Sequence, residues 1–129
     1  MTKDYKWDMN VEASQGLLRV IHENGGRILA GTDANNPFVV PGFSLHNELY
    51  YLVGAGLTPY EALRAATYNP AEFLGVLERL GTVEVGKEAD LILLSANPLE
   101  DINNTKTIVG TMVWGKWNER ENLLRNIQR

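Results

Sequence analysis

Asp33 is the residue whose type and position most directly suggest chemistry. It follows a short apolar run, Arg27 to Thr32, which has the length and composition of a strand buried on both faces. Ligands bind at the carboxyl ends of such strands in α/β barrels and open sheets. A carboxylate there can ligate a cation or move a proton. A second interpretation makes Asp33 only the organiser of the turn that runs to Pro37. The local sequence leaves both roles open.

His46 is the second candidate, near the start of a predicted helix. It either lines the predicted ligand-binding site near Asp33 and contacts substrate, or packs as a hydrogen-bonded histidine beside Leu45 and Leu49. A serine nucleophile is not supported, because Ser44 lacks the surrounding Gly-x-Ser-x-Gly pattern of a nucleophile elbow.

The composition excludes several other classes of function. The net charge is −4 and the basic residues are scattered, so we expect no nucleic-acid partner. No apolar run approaches the roughly 18 residues of a membrane span, so we expect no membrane partner. The chain has no cysteine, which rules out disulfides and thiolate metal sites. The polar N-terminus lacks the apolar segment of a signal peptide, and we expect a cytoplasmic location.

The elements that would position Asp33 are helical on both sides of the apolar run. A first helix starts at Asp8 or Asn10 and ends before Gly25, with an apolar face at helical spacing. That face comprises Val11, Leu17, Leu18, Val20 and Ile21. A second helix runs from Ser44 to Val53. Thr58-Pro59-Tyr60-Glu61 is a capping box that opens a third helix, and Asn69-Pro70-Ala71-Glu72 repeats the pattern for a fourth.

The residues after Gly75 are richer in strand signals. We predict a short strand within 81–87, a buried strand over 90–94, an alternating strand over 107–114 and a closing helix capped by Asn118. The chain is therefore of the α/β class, with a boundary near residue 76.

A series of short motifs gives the chain a resemblance to a known family. Each motif is common, but their order and spacing over about residues 10–116 are specific. The chain resembles the C-terminal part of amidohydrolase-superfamily hydrolases, in the imidazolonepropionase-like and Xaa-Pro dipeptidase-like branch. The motifs are Gly31-Thr32-Asp33-Ala34, Leu45-His46-Asn47-Glu48-Leu49, residues 55–63, residues 66–71, Leu74-Gly75, residues 81–92 and Asn97-Pro98-Leu99.

The resemblance implies the last βα unit of a metal-dependent-hydrolase (β/α)8 barrel with the C-terminal strands of a small β-sandwich. Residues 1–75 would be the terminal portion of the barrel, 76–116 the sandwich strands and 117–129 a C-terminal helix. Asp33 would bind a divalent metal, usually zinc, or lie beside it, and would carry a proton from the attacking water to the leaving group. His46 would lie near the substrate pocket. The substrate would be a small molecule with a non-peptide carbon–nitrogen bond.

The departures from the family pattern concern the metal ligands. The family's His-x-His pair and its other ligands lie on earlier strands, and this chain has only two histidines. We therefore expect an incomplete catalyst that binds little or no metal alone and pairs with the missing N-terminal part or with itself. Two alternatives stay open. One is a non-catalytic truncated relative that serves as an interaction or complementing subunit, and the other is an independent small α/β domain.

Overall fold

The computed structural model of the chain describes residues 4–34, 36–37 and 39–127, and the side chains of 4–9, 124, 126 and 127 are outside the description. The described residues form two compact units, Met1–Ala66 and Thr67–Arg129. Unit 1 contains the helices α1 (Asp4–Glu23), α2 (Phe43–Gly54) and α3 (Pro59–Ala66). Unit 2 contains helix α4 (Tyr68–Phe73), strand β1 (Leu91–Leu94), a 3₁₀ helix (Ile102–Lys106), strands β2 (Ile108–Val113) and β3 (Lys116–Glu119), and helix α5 (Arg120–Ile127).

The core of unit 1 lies around α2, which contacts both α1 and α3. Helix α2 contributes buried leucines and α3 contributes buried alanines, whose small side chains allow two packed helices to approach closely. The buried residues are Leu49, Leu52, Ala55, Leu57, Ala62 and Ala65.

Helix α1 packs on α2 through polar side chains. Gln15 Nε2 donates to Tyr51 O at 3.4 Å, and Arg19 Nε donates to Ala55 O at 3.1 Å, which satisfies carbonyls at the end of α2. The apolar face predicted for α1 is therefore not its packed face. Four of its residues are exposed, namely Val11, Leu17, Val20 and Ile21.

The predicted strand from Arg27 to Thr32 is not formed in the described part of the chain. A strand is defined by hydrogen bonds to a neighbouring strand, and the only strands among the described residues are the three of unit 2. The segment instead makes hydrogen bonds to helices α3 and α2, through the N–H groups of Ala30 and Gly31. The prediction was wrong because an apolar run indicates burial but does not supply a pairing partner.

The predicted capping box of α3 is confirmed. The backbone N–H of Thr58 donates to Glu61 Oε2 at 2.8 Å, and the N–H of Glu61 donates back to Thr58 Oγ1 at 3.3 Å. The start of α4 differs from the prediction, because Asn69 lies inside the helix and Thr67 occupies the N-cap position.

Unit 2 carries an antiparallel sheet in the order β1-β2-β3. Strands β1 and β2 confirm that strands form within 90–94 and 107–114. The predicted burial of the first strand is wrong, because Ile92 and Leu93 are exposed in β1. The strand expected within 81–87 is not formed, since these residues are turns and irregular backbone. Strand β3 was not predicted, and Asn118 pairs with Thr111 in it instead of capping the last helix.

A two-residue turn joins β2 to β3. Trp114 and Gly115 both have positive φ, 50° and 75°, which matches the twist that a tight antiparallel hairpin requires. The N–H of Trp114 donates to Asp90 Oδ1 at 2.6 Å, and the N–H of Gly115 donates to Ala89 O at 3.1 Å. The turn is thereby attached to the residues that lead into β1.

Candidate active site

The side chain of Asp33 is exposed and belongs to a turn. The residue has a φ of 50°, in the left-handed region that aspartate tolerates better than most residues. Asn36 Nδ2 donates to Asp33 Oδ2, and the N–H of Asn36 donates to Asp33 O at 3.2 Å. The turn role is thus present in the structure. It is compatible with chemistry, because an ionised carboxylate has about four acceptor positions.

The segment that leads to Asp33 is held by two helices of unit 1. The N–H of Ala30 donates to Ala65 O at the end of α3, at 2.8 Å. The next N–H, of Gly31, points to α2 and lies 3.5 Å from Glu48 Oε1. Adjacent residues just before Asp33 are thus attached to two different helices.

Glu48 was not singled out from the sequence, although a signal was present. It lies three residues after Leu45 and four before Leu52, so it falls on the apolar side of α2. A carboxylate on such a face is costly unless it finds a partner. This mismatch with the helical pattern could have identified it.

His46 lies in the first turn of α2 and is half-buried. It precedes Glu48 by two residues, so its Cα–Cβ bond points about 200° around the helix axis from that of Glu48. The predicted contact of His46 with substrate stays a prediction.

No group of three histidine, cysteine, aspartate or glutamate side chains that could hold a metal occurs among the described residues. A catalytic zinc needs about three protein ligands and an open position. Asp33 could supply one of them. The described part of this chain therefore does not by itself fit a metal.

The other histidine, His22, lies outside the candidate site. Its Nε2 is 3.6 Å from Glu61 Oε1, which connects the end of α1 to the capping box of α3. Hydrogen bonds from the backbone and side chain of Thr58 lower the pKa of Glu61, and His22 adds a smaller effect in the same direction. These groups stabilise helix packing.

Comparison with known proteins decides the family. Residues 10–118 match the sequence model of the amidohydrolase family. The chain belongs to the amidohydrolase family. It is 39% identical over 97 residues to ochratoxinase from Aspergillus niger, which covers 74% of this chain and 18% of that protein. It is 43% identical over 79 residues to imidazolonepropionase from Sphingopyxis alaskensis, covering 59% of this chain and 19% of that protein.

Solved structures of hydrolases are also similar to this chain. A Xaa-Pro dipeptidase with methionine bound in its active site superposes with a TM-score of 0.74 and 32% identity, over 81% of this chain and 25% of that chain. Phenylurea hydrolase B superposes with a TM-score of 0.73 and 28% identity, over 81% of this chain and 26% of that chain. The chain thus spans about a fifth of the two curated relatives and about a quarter of the two solved structures.

The resemblance to the imidazolonepropionase-like and Xaa-Pro dipeptidase-like branch is therefore confirmed. Among the described helices, none is both long and apolar enough to cross a membrane.

Proposed function

We propose that this chain is a segment of a metal-dependent amidohydrolase that hydrolyses non-peptide carbon–nitrogen bonds, in amides, cyclic amides or related small molecules. Residues 1–75 would belong to its barrel, 76–116 to its small β-sandwich and 117–129 to its C-terminal helix. The observation that carries the proposal is the family match over residues 10–118, which includes Asp33. Further support comes from the solved structure of phenylurea hydrolase B, to which the chain is 28% identical.

In the proposed reaction Asp33 moves one proton. Its carboxylate accepts the proton from the attacking water as the new C–O bond forms. It then gives the proton to the leaving nitrogen as the C–N bond breaks, so one water molecule is consumed. The exposed position of Asp33 gives a substrate access, and the contact from Asn36 limits the orientations of the carboxylate. His46 would contact the substrate.

The remaining parts of the catalytic centre would come from outside this chain. A divalent metal, expected to be zinc, would lower the pKa of the water in the complete enzyme. The described residues bring no three suitable side chains together, so the remaining ligands would come from outside this chain. A second candidate function is that of a non-catalytic relative that complements or binds another subunit.

The test is to combine this chain with the remaining three quarters of the Xaa-Pro dipeptidase to which it is similar. The two pieces would be co-expressed, and hydrolysis of a Met-Pro dipeptide would be measured on the purified complex. General acid–base catalysis contributes about 10²–10⁴-fold, so Asp33→Asn should lower kcat by at least 10²-fold. Asparagine accepts the left-handed conformation and can serve the turn, so the complex should still form.

The dipeptidase piece without this chain is the control for background activity. A complex that forms with the wild-type chain but hydrolyses nothing would favour the complementing, non-catalytic role. An Asp33→Asn complex with the wild-type kcat would show that Asp33 is only a turn residue.

A further inference from the structure

We propose that the outer face of helix α2 is a self-association surface, on which a second copy of this chain packs its own α2. The outer face is defined by Phe43, Asn47, Tyr50 and Tyr51. Seven residues make almost two helical turns, so Tyr50 lies within about 20° of Phe43 around the axis. Asn47 lies between them along the helix. The four residues therefore form one stripe on α2.

The stripe is exposed although it is aromatic. Phe43, Tyr50 and Tyr51 are 76%, 51% and 49% exposed. The rings of Tyr50 and Tyr51 meet edge to face, with their centroids 5.7 Å apart, so this part of the stripe is already packed before a partner binds. Single apolar residues are common on protein surfaces, whereas clustered aromatic residues are typical of interfaces.

The missing part of a complete enzyme would leave this stripe uncovered. Leu52 is on the buried side of α2, and Glu48 on that side lies toward the N–H of Gly31. Tyr50 is about 200° around the helix from Glu48. Under the proposed function the segment that contains Gly31 would be a barrel strand. The helices of a barrel form an outer ring around the strands, so the side of α2 opposite that segment would face solvent. This step alone rests on the proposed function.

The chemistry of the stripe fits a second copy of the chain better than a charged partner. Besides His46, Glu48 is the only residue of α2 that can carry a charge, and it lies on the other side. The chain has a net charge of −4, so two copies repel each other least where the surfaces that meet are uncharged. The side-chain amide of Asn47 both donates and accepts hydrogen bonds, so it can pair with its own copy across a two-fold axis. In an antiparallel pair of helices centred there, Phe43 of one copy would face Tyr51 of the other.

The area of the stripe suits the centre of a small dimer interface. An aromatic side chain has about 150–250 Å² of surface, so the exposed fractions of the three rings leave about 350 Å² for contact. A stable interface buries about 800 Å² on each partner, with an apolar centre and a polar rim. The stripe thus supplies the apolar centre, and polar residues around it would supply the rim.

The first experiment uses the absence of cysteine from this chain. Asn47→Cys introduces a single thiol, which in a two-fold dimer centred on this position lies beside its own copy. Disulfide cross-linking under mild oxidation, measured by non-reducing gel electrophoresis, should be about tenfold faster than for Glu12→Cys, because a disulfide needs closely spaced backbones. Glu12 is the control, since it is exposed and lies on α1. Equal rates for the two variants would refute the proposal.

Matched charge substitutions test the rest of the stripe. Phe43→Glu should lower the cross-linking rate of Asn47→Cys about tenfold, because it removes an aromatic anchor and buries a carboxylate without a partner. Glutamate is favourable in the first turn of a helix, so the fold should stay intact, which circular dichroism would check. Phe73→Glu is the control, since Phe73 is 77% exposed but lies on α4. An equal effect of both substitutions would mean that α2 is not the contact, and the proposal would be wrong.

The complex with the dipeptidase piece separates this inference from the proposed function. Tyr50→Glu should bind that piece as tightly as the wild-type chain, because the stripe faces away from the barrel strand. Loss of binding would mean that barrel residues cover the stripe, which would contradict a second copy as its partner. A wild-type complex that forms but hydrolyses nothing would contradict only the catalytic proposal, and the cross-linking result would be unaffected.

Discussion

Replacing Thr58 by alanine tests the best-defined local feature of the chain. The substitution removes two side-chain contacts: Thr58 Oγ1 accepts the Glu61 N–H at 3.3 Å and donates to Glu61 Oε2 at 2.7 Å. The bond from the Thr58 N–H to Glu61 Oε2 involves only backbone on the Thr58 side and is retained. The loss of an N-cap side chain costs about 1 kcal/mol. For a chain of 129 residues, that corresponds to a fall in Tm of about 4 °C.

The pH dependence of this effect follows from Glu61. Hydrogen bonds from Thr58, first from its backbone and then from its side chain, hold the pKa of Glu61 below its ordinary value of 4.5. A carboxyl whose pKa is lower in the folded state stabilises the fold above its unfolded pKa. That contribution disappears as the pH falls through the lower folded pKa. The cost of Thr58→Ala should therefore be largest near pH 7 and smaller near pH 3.

Thermal or urea denaturation followed by circular dichroism would measure both effects. Ser14→Ala is the control, because Ser14 is an exposed hydroxyl residue in the interior of α1 and does not cap a helix. Equal costs for the two substitutions, or an undiminished cost of Thr58→Ala at pH 3, would contradict the capping role of the Thr58 side chain.

Three further predictions concern the chain alone. Calorimetry should find no stoichiometric submicromolar zinc site, since the described residues contain no three-ligand group, and a tight site would contradict the proposed segment. The chain should self-associate through the open edges of β1 and β3, so sedimentation at high micromolar concentration should reveal dimers or larger species, and a compact monomer would exclude this. Gly110→Ala should destabilise unit 2 by about 1–3 kcal/mol, because the added Cβ would meet the Trp117 ring and lie 2.9 Å from Asn118 O. Gly16→Ala, which has open space, should cost nothing, and equal denaturation midpoints for the two variants would disprove the clash.

The features predicted correctly from the sequence are those that neighbouring residues determine. The Thr58–Glu61 capping box involves four consecutive residues, and its hydrogen bonds need no other part of the chain. Strand β1 is a short apolar run, β2 is rich in β-branched residues, and turn residues bound both. For such elements the local sequence contains most of the physical information.

The features missed depend on partners distant in sequence. An apolar run such as Arg27 to Thr32 becomes a strand only where another strand offers hydrogen bonds. The reverse holds for Lys116 to Glu119, where a polar segment forms β3 because the preceding turn places it beside β2. The contact of Glu48 with Gly31 spans 17 residues, so only the polar interruption of an apolar helix face could have indicated it.

The turn at Trp114 and Gly115 also sets the order in which the sheet of unit 2 assembles. Strands β2 and β3 are joined by two residues, so they can pair as a local hairpin within about 1–10 μs. Strand β1 is separated from β2 by the 3₁₀ helix, and its pairing must first close that longer loop. The amides of the turn bind Asp90 and Ala89, immediately before β1, only once β1 has arrived. We therefore expect the hairpin to form first. The two hydrogen bonds from its turn would then favour the observed register of β1 over a one-residue slip, which would exchange the two faces of the strand.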